Sequence, residues 1–134
     1  MSVAVGVFLA LAVLGVATYA DMDRDRALYP VVTMVVASYY TLFAIMGGSM
    51  RVLVIESAVA LVFVALALAG FRSTLWLVAA ALAGHGIFDL LHPRLYANPG
   101  LPPWWPPFCA AFDVVAAAWL AWRLASRKVH ASAG

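Results

Sequence analysis

The sequence predicts an all-α fold, a polytopic membrane helical bundle of five transmembrane helices. Three observations carry that reading. Hydrophobic residues make up 66% of the chain and charged residues only 10%, against about a quarter charged in a soluble domain. So little charge cannot coat a water-soluble globule of this size. Five stretches approach the ~20 apolar residues that a helix needs to cross a bilayer. These stretches are continuous rather than alternating. Only helices or closed barrels satisfy their backbone in lipid, so continuous runs mean a helical bundle. The 134 residues suit one integral membrane domain over 1–134.

The first span covers about residues 3–20. No basic residue precedes it, and its apolar part is of full span length. A secretory signal has a basic start and a shorter core, so the segment reads as a retained transmembrane helix. The charged loop DMDRDRALYP follows. The second span covers about 30–47, with Pro30 in the first turn, where a missing N–H is no loss. It is amphipathic rather than uniformly apolar, with Ser38, Tyr39, Tyr40 and Thr41. GGSMR breaks the pattern before the third span, about 52–71. FRST is a tight turn, and the fourth span covers about 75–92, where Pro93 is expected to stop it. RLYANPGLPPWWPPF reads as a proline-rich, non-helical loop. The fifth span covers about 109–124 and ends in RLASRKVHASAG. The single cysteine, Cys109, excludes an intramolecular disulfide.

Lysine and arginine in the short loops set the orientation. One side carries Arg24, Arg26, Arg72, Arg123, Arg127 and Lys128; the other carries only Arg51 and Arg94. The expectation is an inner-membrane protein with its N-terminus outside and its C-terminus in the cytoplasm. The external loop then holds Trp104 and Trp105, whose amphipathic rings suit the membrane interface. The net charge of +2 arises from these segment ends and is no argument for nucleic acid as a partner.

Acidic residues point to a site. Asp21, Asp23 and Asp25 fall in the first loop, where water is expected to reach them. Glu56, Asp89 and Asp113 fall inside spans, where an ionisable side chain costs roughly 2.5–3.5 kcal/mol or more and faces the bundle interior. At about 1.5 Å per helical residue, Asp89 lies ~6 Å below its end of the span, Asp113 ~9 Å and Glu56 ~10 Å. His85 and Tyr39 come out near 12 Å on the same count. Polar groups from four helices thus share one layer, which predicts one outward-opening polar cavity in the outer half of the bundle. In the stretch GHGIFDLLHP, His85, Asp89 and His92 fall within about 60° of one another on the helix. Gly84 and Gly86 flank the stripe and allow a neighbouring helix to approach.

A polar zipper that only holds helices together is the plainest account of such a stripe. Three acids and two histidines exceed that need, because serine or asparagine would do it at lower cost. Two chemistries fit. In one, His85, Asp89, His92 and Asp113 bind a divalent metal such as Zn, Fe, Cu or Mn. In the other, no metal is present, and Glu56, His85, Asp89 and Asp113 hold and pass protons. Either would serve an enzyme acting on a lipid-like or small apolar ligand within the membrane lipid. The alternatives are a metal- or proton-coupled transporter and a non-catalytic subunit of a membrane complex. Transport needs a path through the other half, yet span four has no polar side chain between Trp76 and His85.

Other residues read more plainly. Tyr39 and Tyr40 are balanced between packing and donating hydrogen bonds into the cavity. Cys109 reads first as a small buried hydrophobe, and Arg94 as an ordinary helix-end cation. His130 is expected to be solvent-exposed in the polar tail.

Overall fold

The computed structural model describes residues 1–133; Gly134, the end of the expected domain, lies outside the described residues. Five helices follow one another: α1 (Ser2–Tyr19), α2 (Leu28–Gly47), α3 (Met50–Arg72), α4 (Leu75–Leu95) and α5 (Trp105–Ala125). Each is long and apolar enough to span a membrane, and no strand occurs among the described residues. The amphipathic second span is a full helix of 20 residues.

Local chemistry sets the helix ends. The Ser49 hydroxyl accepts from the Val52 amide at 3.4 Å and caps α3, and Thr74 does the same for α4 through Trp76 at 3.3 Å. Gly48 closes α2 with a left-handed φ of 71°, a conformation that costs glycine little. α4 lies against α5, α3 and α2, while α1 rests on α5 and α2 on α3. α1 turns Gly6, Ala10, Leu14 and Ala17 inward. A Cβ at Gly6 would overlap the Phe108 carbonyl, so the two backbones meet where the side chain is smallest. The other faces of α1 expose residues such as Phe8 and Val16, as a lipid-facing helix does.

Three local expectations are corrected. Pro93 does not stop α4, which runs to Leu95. Proline removes one intrahelical bond, from its own nitrogen to the Asp89 carbonyl, and the last turn tolerates that loss. The Tyr96 amide still reaches the His92 carbonyl at 3.4 Å. α5 begins inside the proline-rich loop, at Trp105, with Pro106 and Pro107 in its first turn. Proline suits that turn because those amides have no helical acceptor.

The third correction is Asp23, which is not in water but fully buried. It accepts from Tyr29 Oη at 2.9 Å and pairs with Arg123 Nε at 3.2 Å. The first loop folds back over the bundle end, through left-handed backbone at Asp21 and Arg26. The tail is also ordered there. The Leu75 amide donates to Ala131 O at 2.8 Å and the Ala133 amide to Ser73 O at 3.2 Å.

Candidate functional site

The polar layer lies toward the end of the bundle that carries the α2–α3 and α4–α5 connections. α4 supplies its spine, with His85, Asp89 and His92 buried along one face. Glu56 is the one polar residue that α3 buries. α5 adds Cys109 and Asp113, one turn apart. The close approach of α4 and α5 rests on Gly86, where a Cβ would stand 3.1 Å from Val114 Cγ2. Gly84 meets nothing within 4 Å and plays no such part.

The layer divides into two clusters. In the first, His85 Nδ1 lies 2.5 Å from Asp113 Oδ2 and 3.6 Å from Asp89 Oδ2. Tyr40 donates its hydroxyl to Asp89 Oδ1 at 2.7 Å. Cys109 Sγ is 4.0 Å from Asp113 Oδ2. The His85, Asp89, Cys109 and Asp113 ligand atoms all lie within 4.8 Å of one another. In the second cluster Glu56 is the hub. It accepts from His92 Nε2 at 2.6 Å, from Tyr96 Oη at 2.8 Å and from Asn98 Nδ2 at 3.0 Å. Burial and the Glu56 carboxylate beside it push the Tyr96 phenol up, which keeps it a proton donor. Tyr40 joins the clusters. Its ring stacks on His92 at 4.3 Å, its hydroxyl serves Asp89, and its carbonyl accepts from Asn98 at 3.3 Å.

The residues singled out from sequence therefore come together in part. His85, Asp89 and Asp113 meet directly. His92 and Glu56 meet each other, beside that group rather than in it. The expected open cavity is corrected: Glu56, His85, Asp89, His92 and Asp113 are each at most 1% exposed. What does open is an apolar groove of about 480 Å³, lined by residues including Val36, Tyr39, Trp105, Phe108 and Phe112. Cys109 belongs both to this groove and to the first cluster. Tyr39 faces the groove, its ring 4.9 Å from that of Trp105, and not the acids. Trp104 is exposed while Trp105 packs inward. Arg94 and His130 are exposed.

Tyr96 and Asn98 were missed. The signal for Tyr96 was present, because positions 85, 89, 92 and 96 continue one helical stripe. Ending the helix at Pro93 concealed it.

Charge separates the two clusters. The second sets one carboxylate against one imidazole, with two further donors. The first sets two carboxylates against one imidazole and a thiol. Asp89 Oδ2 and Asp113 Oδ1 in the first cluster, and His92 Nδ1 in the second, are buried with no hydrogen-bond partner, an uncommon state for buried polar atoms. Tetrahedral zinc, with bonds of ~2.0–2.3 Å, needs its ligand atoms ~3.5 Å apart. The four ligand atoms lie within 4.8 Å of one another and could hold a metal ion, provided His85 Nδ1 and Asp113 Oδ2, at 2.5 Å, part to that spacing. No family model, no curated protein and no solved structure matches the chain, so its function is read from this geometry.

Proposed function

We propose that this membrane protein binds a divalent metal, zinc foremost, through His85, Asp89, Cys109 and Asp113, and that the centre serves an enzyme acting on a lipid-like or small apolar molecule. The observation that carries the reading is the pair of unpartnered carboxylate oxygens, Asp89 Oδ2 and Asp113 Oδ1, in a cluster with more acid than base. A cation would satisfy both oxygens and remove the repulsion between the carboxylates. A sulfur and an imidazole among the donors favour zinc, copper or iron over manganese. When bound, such a metal supplies an acidified water or a polarised carbonyl.

The chain's own residues support that chemistry. Tyr40 holds Asp89 in place through its hydroxyl. The His92–Glu56 pair, one helical turn along α4, holds a proton beside the centre. The apolar groove supports the substrate class, since Cys109 stands in its wall and next to Asp113. The reading includes the topology argued from the basic residues: an inner-membrane protein with a cytoplasmic tail and the polar layer in the outer half.

Elemental analysis of detergent-purified protein tests the proposal. Wild type is expected to carry stoichiometric metal, and Asp89→Asn to lose most of it while still folding. A metal-free wild type that Asp89→Asn stabilises would overturn the metal centre. Proton exchange between His85 and Asp113 would then be the surviving chemistry, favoured by their 2.5 Å contact.

A further inference from the structure

The opposite end of the bundle holds a second unassigned feature. A cavity of about 710 Å³ is lined by Arg26, Phe71, Arg72, His130, Ser132 and Ala133. The set includes two arginines and a histidine but no acidic side chain. Arg26 is held there by three backbone carbonyls. Its Nε donates to His130 O at 2.9 Å, its Nη1 to Phe71 O at 2.8 Å and its Nη2 to Ala131 O at 3.0 Å. The guanidinium carbon sits 5.6 Å from the centre of the Phe71 ring. The residue's own backbone is left-handed, with φ 70°.

All three acceptors are neutral, so they fix the guanidinium without cancelling its charge. A guanidinium also has more N–H donors than these bonds use. Among the described residues the arginine–carboxylate pairs are Arg24–Asp21 and Arg123–Asp23, and neither involves Arg26 or Arg72. Arg72 is exposed at the end of α3 and makes no side-chain hydrogen bond among the described residues. Two guanidiniums without a carboxylate partner among the described residues, a histidine and a serine thus line one space. That space lies beside the end of α3 and the first loop, where apolar spans give way to polar connections, the kind of segment that meets phospholipid head groups. Arginine is the side chain best suited to phosphate oxygens, and basic pockets at helix ends bind anionic head groups.

We propose that Arg26, Arg72, His130 and Ser132 form a binding site for a phosphate group, supplied by an anionic phospholipid head group or by free phosphate. The site is independent of the metal centre, which lies at the other end of the bundle.

Thermal unfolding in neutral detergent provides the test, because a ligand that binds only the folded state raises Tm. The full chain is measured with phosphatidylglycerol, with phosphatidylcholine and with inorganic phosphate. Phosphatidylglycerol is expected to raise Tm above the phosphatidylcholine value. Arg72→Gln and His130→Gln should each lose at least half of that difference, while Arg94→Gln, at the other end, should keep it. A rise with phosphatidylglycerol alone assigns the site to the lipid head group. A matching rise with inorganic phosphate, lost in the same variants, assigns it to free phosphate. Loss in either variant supports the site. Retention in both, or no response to either anion, overturns it and leaves Arg26 as a backbone staple. The Tm of each variant in phosphatidylcholine reports its fold. The His130 side chain makes no hydrogen bond among the described residues, so His130→Gln stays readable if Arg72→Gln is unstable.

Discussion

Replacing Glu56 by alanine leaves three donors, on His92, Tyr96 and Asn98, facing a void. Side-chain hydrogen bonds between membrane helices average ~0.6 kcal/mol and reach ~1.7 kcal/mol, less than in water because the unfolded chain finds other partners in the membrane. Three such bonds amount to about 2–5 kcal/mol. Glu56 is 1% exposed, so the lost volume adds about 1 kcal/mol or more. The expected cost of about 3–6 kcal/mol is a large share of a typical stability of ~5–15 kcal/mol. Glutamine is the informative comparison. It keeps one oxygen for His92 and Asn98, and its amide faces the Tyr96 hydroxyl, which also accepts. Glu56→Gln should therefore cost less than half as much as Glu56→Ala. Reversible unfolding of the three proteins in one detergent measures both differences. An alanine variant within about 1 kcal/mol of wild type would refute the hub. A glutamine variant as costly as alanine would show that charge, and not the number of bonds, holds the cluster. Metal content should survive in both variants, because Glu56 lies outside the four-residue donor set.

Two further outcomes follow from the fold. Gly86→Ala should be less stable than Gly84→Ala, because both gain about 1 kcal/mol of helix propensity but only the Gly86 Cβ would meet Val114 Cγ2, at 3.1 Å; equal effects on thermal unfolding would refute the close approach. A reporter fused after the last residue should be active only as a cytoplasmic type, and periplasmic activity would reverse the orientation argued from Arg24, Arg26, Arg72, Arg123, Arg127 and Lys128.

The five helices were legible because each announces itself by a long apolar run, and lipid permits no other use for such runs. The polar layer was legible because charge in a span is costly, which made Glu56, Asp89 and Asp113 stand out. Pairing was less legible. Helix periodicity put His85, Asp89 and His92 on one face but carries no information about which neighbouring helix meets each of them. Glu56 meets His92, and Asp113 meets His85, because α3 and α5 approach α4 from different sides. The burial of Asp23 was hidden for a similar reason. Its partner Arg123 is 100 residues away, and a short charged loop reads as solvated unless that distant contact is known. Cys109 looked like filler because a small apolar side chain and a ligand are indistinguishable until the Asp113 carboxylate is placed beside the sulfur.

The two histidines on one stripe end in different chemical situations, and that difference supports a reactive centre over a packing device. A device that only holds helices together is finished when every donor has an acceptor and charges cancel. The Glu56 cluster is nearer to that state: one carboxylate takes three donors from three residues, and only His92 Nδ1 is left without a partner. The His85 cluster, built on the same helix one to two turns away, stops short of it. Asp89 and Asp113 face a single imidazole, and each keeps one buried oxygen without a partner. Asparagine at either position would offer a donor to the other carboxylate and complete the network at lower electrostatic cost. Packing alone therefore gives no reason for the second aspartate. A bound cation does, and so does a proton that must leave and return. Both require the cluster to be left incomplete by its own side chains.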